Sequence, residues 1–250
     1  MAEALLGGLL AASTHDAAAV AVVEVLAERR AQLEAAFPGV VVTAEPMATE
    51  GVVLATKPAD APAALAAAAE AGLSRVLSIA AGVTCATLES AAGTGVPVVR
   101  AMPNTPALVG RGAAAICAGH HATDGDLAWA EAILDAVGTV VRVPERLMDA
   151  VTGLSGSGPA YVFLVAEALV EAGVHAGLSR EVADRLTRQT ILGAATLMDE
   201  SDEGIEALRA AVTSPGGTTA AGLRALEDRA VRAAFLAAVE AATRRSAELG

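Results

Sequence analysis

The chain has 250 residues, enough for one large domain or two smaller ones. Hydrophobic residues make up 54%, much of it alanine, which suits closely packed helices. Aromatic residues at 2% and a formal charge of −12, from 17 basic and 29 acidic residues, argue against a nucleic-acid surface and an anionic membrane surface.

Up to about residue 145, short β-branched runs alternate with alanine-rich helical runs. The pattern predicts strands over 19–25, 40–43, 52–55, 76–80, 96–101, 113–118 and 139–143. Helices are predicted over 28–36, 61–71, 84–92 and 125–136. This alternation predicts an α/β unit with a mostly parallel sheet, several strands of it apolar on both faces. From Pro144 onward strand signals vanish. Helices are predicted over 145–152, 159–172, 180–198, 205–212, 219–227 and 230–249, an all-helical second half. Pro159 stands near a first helical position, and Ser179 with Glu181 and Val182 marks another helix start. The domains are therefore expected at 1–144 and 145–250.

The apolar runs carry charges or Gly/Pro breaks, so no membrane span is expected. The start contains Glu3 and lacks basic residues, so no signal peptide is expected. Cys85 and Cys117 lack metal-type spacing. They read as a reduced, buried pair in a cytoplasmic protein, with one disulfide left open. His120 and His121 invite a metal reading, but adjacent side chains after a strand point apart, so no metal is expected. His15 and His175 read as loop or helix-end residues. Trp129 and Tyr161 read as packing residues.

Residues 207–227 are the most informative. A helix ends near Val212, Pro215 and Gly216–Gly217 break it, and Thr218 and Thr219 stand where an N-cap belongs. Free backbone N–H groups at such a helix start suit a carboxylate. The same residues also read as an ordinary helix–helix turn.

The motifs, taken together, define a family resemblance. They are Ala55-Thr56-Lys57-Pro58, Ser78-Ile79-Ala80-Ala81-Gly82-Val83-Thr84, Arg100-Ala101-Met102-Pro103-Asn104-Thr105-Pro106, the stretch from Asp149 to Tyr161, and Thr213-Ser214-Pro215-Gly216-Gly217-Thr218-Thr219. In this order the chain resembles pyrroline-5-carboxylate reductase. The resemblance implies a Rossmann-type N-terminal domain and an all-α dimerisation domain. It implies hydride transfer from NADPH, or NADH, to L-1-pyrroline-5-carboxylate, giving L-proline in the last step of proline biosynthesis. It further implies a cytoplasmic homodimer, with rings of dimers in many relatives.

By the same resemblance, Ser214 and the backbone N–H groups of Gly217 and Thr218 grip the substrate carboxylate. Thr219 lies by the imine nitrogen, as the catalytic contact. Glu145 matches a position near the substrate and equally reads as a helix-start charge after Pro144. Lys57, Pro58, Ala80, Ala81, Gly82, Asn104 and Thr105 match cofactor-binding positions, at strand ends expected to open on one sheet edge. Relatives that prefer NADPH carry an arginine after the second strand. Here Glu24 and Val25 occupy that region, with Arg29 and Arg30 a turn later.

The family pattern opens with a strand and Gly-x-Gly-x-Met, whereas the match here begins at the motif's Met, with Gly7 and Gly8 inside the following helix. Strand neighbours left unpaired, and a shortened version of a native chain, are the expectations. The alternative function is a homologue that no longer binds cofactor and keeps a structural or dimerising role. A β-hydroxyacid substrate lacks support, because Lys57 is the only lysine and no amine acid can come from the second half.

Overall fold

The computed structural model describes residues 1–12 and 16–249. His15 lies outside them. The chain packs as two compact units, one of Met1–Ser157 with Glu240–Gly250 and one of Gly158–Val239.

In the first unit, helix α1 (Ala2–Ala11) precedes β1 (Ala21–Val23), α2 (Ala27–Ala36), β2 (Val41–Thr43) and β3 (Thr49–Leu54). Then come α3 (Ala61–Ala71), β4 (Leu73–Ser78), α4 (Cys85–Ala92), β5 (Val98–Met102), β6 (Gly112–Ala118), α5 (Asp124–Asp135) and β7 (Gly138–Arg142). The seven predicted strands are all present. Side-chain caps set two of the helix starts. Thr84 accepts the Thr87 N–H, and Thr123 with Asp126 forms a reciprocal capping box.

The strands form two sheets. β1 pairs in parallel with β2, and the larger sheet has the order β3-β4-β5-β6-β7. All neighbours in it are parallel except β5 and β6. Among the described residues β1 pairs only with β2 and β3 only with β4, so one edge of each carries unpaired backbone groups.

The larger sheet is apolar on both faces, which follows from strict alternation in its central strands. Val76 and Val98 join Leu54, Leu65 and Leu88 in a core with α3 and α4. Their chain neighbours Leu77 and Val99 join Leu5, Leu9, Ile116, Ile133 and Leu134, under α1 and α5. α1 comes close to the end of α5 because Gly8 has no Cβ. A Cβ there would collide with Val137 and meet the Ala136 carbonyl. Trp129 packs against the second of these cores, with the Arg75 guanidinium 4.6 Å from its ring centroid.

After β7, a 3-10 turn from Glu145 leads into α6 (Met148–Val151) and a π turn, Thr152–Gly156. The second unit holds α7 (Gly158–His175), α8 (Arg180–Glu200), α9 (Ile205–Ala211), α10 (Thr218–Asp228) and the first half of α11 (Val231–Leu249), whose residues from Glu240 onward belong to the first unit. α7 ends at His175, as a helix-end histidine should. Ser179 caps α8 by accepting the Val182 N–H. Gly173 and Ala183 bring α7 and α8 together, since a Cβ on Gly173 would meet that of Ala183 at 3.0 Å.

One expectation needs correcting. Glu145–His175 is one helical run, long and apolar enough to cross a membrane by length and composition, and only 6% of its most apolar window is buried. Ser157-Gly158-Pro159 does not break it. Gly153 and Gly156 fall in the π turn, Ser157 forms a bend, Gly158 opens α7, and Pro159 falls in its first turn, where a missing N–H costs little.

Candidate functional site

β3, β4 and β5 are adjacent and parallel, with Leu54 beside Ser78 and Ser78 beside Arg100. Their carboxyl ends therefore open on one edge, and the segments holding Lys57, Ala80–Gly82 and Asn104 all leave from it. Lys57 and Pro58 are exposed, as are Ala81 and Thr105, while Ala80 and Gly82 are buried. Gly82 has a φ of +78°, which a glycine adopts without strain. Asn104 acts as a brace. Its Oδ1 accepts the Ala113 N–H at 2.8 Å and its Nδ2 donates to the Ser155 carbonyl at 3.0 Å, so its side-chain amide already holds β6 and the π turn.

At the end of β1, the Glu24 carboxylate accepts the Leu26 N–H at 2.9 Å. Arg30 donates to the carbonyls of Glu24 and Val25, and Arg29 pairs with Glu3.

Glu145 sits among polar partners rather than in solvent. Its Oε1 accepts the Cys85 N–H at 2.7 Å and lies 3.2 Å from Arg100 Nη1. Burial alone would raise its pKa, but the Cys85 N–H and the Arg100 guanidinium outweigh that and hold it below the ordinary value. Arg100 is itself buried within β5. The sequence reading missed it, although a charge inside the apolar run Val98-Val99-Arg100-Ala101 was the available signal. Cys85 and Cys117 are free, buried thiols with their sulfurs 3.9 Å apart. The Cys117 contact, and then burial, push the Cys85 thiol up.

In the second unit, the turn between α9 and α10 shows the expected helix start with two corrections. The N-cap is Gly217, not a threonine, so Thr218 and Thr219 are the first two helical residues. The Gly217 N–H is already used, donating to the Ser214 carbonyl at 3.0 Å. The cause is Gly216, whose φ of +70° curls the chain back on Ser214. No side chain caps α10, and helix geometry gives the N–H groups of Thr218 and Thr219 no partner within it. The Ser214 hydroxyl lies against Gly217, where a Cβ would strike it. Ser214, Thr218 and Thr219 are exposed. The Thr213 hydroxyl instead closes α9, donating to the Arg209 carbonyl at 2.6 Å.

The two histidines do not point apart. Their ring centroids are 4.9 Å from one another, edge to face. They occupy a turn rather than extended chain, so strand alternation does not apply, and both backbone N–H groups turn to Glu89.

A family model described as pyrroline-5-carboxylate reductase dimerisation matches residues 145–249. The pyrroline-5-carboxylate reductase of Synechocystis is 46% identical over 258 residues, covering 100% of this chain and 95% of that one. The chain belongs to the pyrroline-5-carboxylate reductase family. The Coxiella burnetii reductase structure superposes with a TM-score of 0.92 at 35% identity, covering 100% of this chain and 94% of the other. The Plasmodium falciparum reductase, solved with NADP bound, gives 0.83 at 30% identity, covering 99% and 94%. The reductase fold, Rossmann-type sheet plus helical C-terminal region, is thus the fold of this chain.

Proposed function

We propose that this protein reduces L-1-pyrroline-5-carboxylate to L-proline by hydride transfer from NADPH, with NADH as the alternative donor. The observation that carries the substrate side is the uncapped first turn of α10, with the Ser214 hydroxyl packed beside it. In this reading residues 1–144 bind the dinucleotide, and residues 145–250 bind substrate and pair two subunits.

The residues at the sheet edge suit a dinucleotide. Three adjacent parallel strands end together, and Ala80, Ala81 and Gly82 put small side chains on the segment that leaves the end of β4. When bound, the cofactor supplies the hydride. Lys57, Pro58, Ala80, Ala81, Gly82 and Thr105 hold it, and Asn104 fixes the loop that follows β5.

The chain's own work is positioning. The Thr218 and Thr219 N–H groups and the Ser214 hydroxyl hold the substrate carboxylate, with Gly217 shaping the turn. The Thr219 hydroxyl steadies the proton on the imine nitrogen, which makes the neighbouring carbon electrophilic. Glu145 stays ionised beside Arg100 and favours the cationic imine.

The active assembly in this reading is a homodimer, extended to a ring of dimers, in the cytoplasm. The apolar side chains that α7 exposes in the single chain, Phe163 and Leu164 among them, supply a surface for pairing.

A second reading, a homologue that dimerises without cofactor, draws on the unpaired edges of β1 and β3. The deciding assay is NADPH consumption by the purified chain with pyrroline-5-carboxylate, repeated with NADH. Turnover with either supports the reductase. A folded dimer that neither binds nor oxidises the cofactor supports the second reading.

A further inference from the structure

Three ligand-type side chains converge beneath the larger sheet's edge. Cys85 is the first residue of α4, Cys117 lies near the end of β6, and Glu145 opens the turn after β7. One donor atom from each falls within 4.8 Å of the other two, and theirs is the metal-competent grouping found among the described residues. We propose that Cys85, Cys117 and Glu145 form a binding site for a thiophilic divalent cation, zinc by its donor set.

The spacing of the sulfurs carries the argument. Zinc–thiolate bonds of about 2.3 Å at a tetrahedral angle place two sulfurs about 3.8 Å apart. Cys85 and Cys117 stand at 3.9 Å, so a cation can enter between them with almost no movement of the backbone. The Glu145 carboxylate must close by roughly 1 Å to reach a zinc–oxygen bond of about 2.0–2.2 Å. It has the freedom to do so, with its side chain 36% exposed.

Charge closes as well. Two thiolates and one carboxylate carry three negative charges, and Arg100 with a divalent cation carries three positive ones. Without the cation, two protonated thiols and the Arg100–Glu145 pair are also neutral, so neither state leaves a net charge buried. Glu145 is already oriented by the Cys85 N–H and by Arg100, the kind of outer contact that fixes a ligating carboxylate. A cavity of about 360 Å³ bordered by Cys117, Val143 and Glu145 provides the entry path and room for a water as fourth ligand. Three protein ligands and one open position result. The proposal rests on these positions and not on the substrate role given to Glu145.

The test is metal binding by the reduced full-length chain. Zinc is added, free metal is removed by dialysis, and bound zinc is measured by elemental analysis. In parallel, cobalt(II) is titrated and its absorption followed. The expected result is one equivalent of zinc per chain, and with cobalt a near-ultraviolet thiolate band plus the intense visible bands of a four-coordinate ion. Glu145→Gln should keep the thiolate band and bind about tenfold more weakly. The variants Cys85→Ser and Cys117→Ser should each lose the band while keeping the wild-type circular dichroism. If either variant misfolds, alkylation of the wild-type thiols replaces it, and zinc should protect both. Wild-type chain that retains no zinc, or that gives no thiolate band and no protection, overturns the site.

Discussion

The Ser214 hydroxyl lies against the Cα of Gly217, in the space a Cβ would need. That contact sets both the hydroxyl and the first free amides of α10. Gly217→Ala should therefore displace Ser214 and lower kcat/KM for pyrroline-5-carboxylate by about 10- to 100-fold, the loss of a hydrogen bond to a charged group. The loss should appear mainly in KM, with little change in melting temperature because the turn is exposed. Steady-state kinetics beside thermal unfolding will check both.

Thr219→Val should behave differently. The side chain keeps its shape but loses the hydroxyl assigned to the imine nitrogen. The expected result is a fall in kcat of about 10²-fold with KM nearly unchanged. An equal loss in Ser214→Ala and Thr219→Val, all of it in KM, would mean that both serve only the carboxylate.

Asp126 gives a pH-dependent prediction. Burial would raise its pKa, but hydrogen bonds from the Thr123 hydroxyl and N–H, with Arg75 near, hold it below the ordinary value of 3.8. A depressed folded pKa adds stability that is complete above the unfolded value and is lost as pH falls through the folded one. Asp126→Asn should destabilise the fold at neutral pH by the order of a cap, about 0.5–2 kcal/mol, and lower the melting temperature accordingly. The gap to wild type should narrow below pH 3.8. Melting curves across that range test it.

Leu65 and Leu88 are fully buried between the sheet and helices α3 and α4. Leu88→Ala should cost about 2–5 kcal/mol, read from denaturant midpoints with unchanged slope.

Phe163 and Leu164 on α7 are 63% and 65% exposed in the single chain. If they pair subunits, Leu164→Arg should shift the sedimentation of the protein from dimer toward monomer. An unchanged dimer would place the pairing surface elsewhere.

Much of the fold was legible in the sequence, because it rests on local rules. Continuous apolar runs such as Val76–Leu77 and Val98–Val99 specify strands buried on both faces, and Ser179 marks a helix start by its own side chain. The break between α9 and α10 was legible for the same reason, since Pro215 and Gly216–Gly217 act on neighbouring residues. Its details were not. Which residue caps α10 depends on the left-handed backbone at Gly216, and which amide is spent depends on the Ser214 carbonyl it meets. Cys85 and Cys117 were readable as reduced, buried residues, but their contact with each other and the Glu145–Arg100 pair were not, because 32 positions separate the first pair and 45 the second. Such partners meet only when β5 and β6 run antiparallel and α4 docks beside them, and no local preference encodes that docking. The sequence by itself determined the elements, the family and the turn that opens α10. The tertiary structure alone decided which buried charges and sulfurs face each other, because contact across a sheet is set by strand order and register, not by chain spacing.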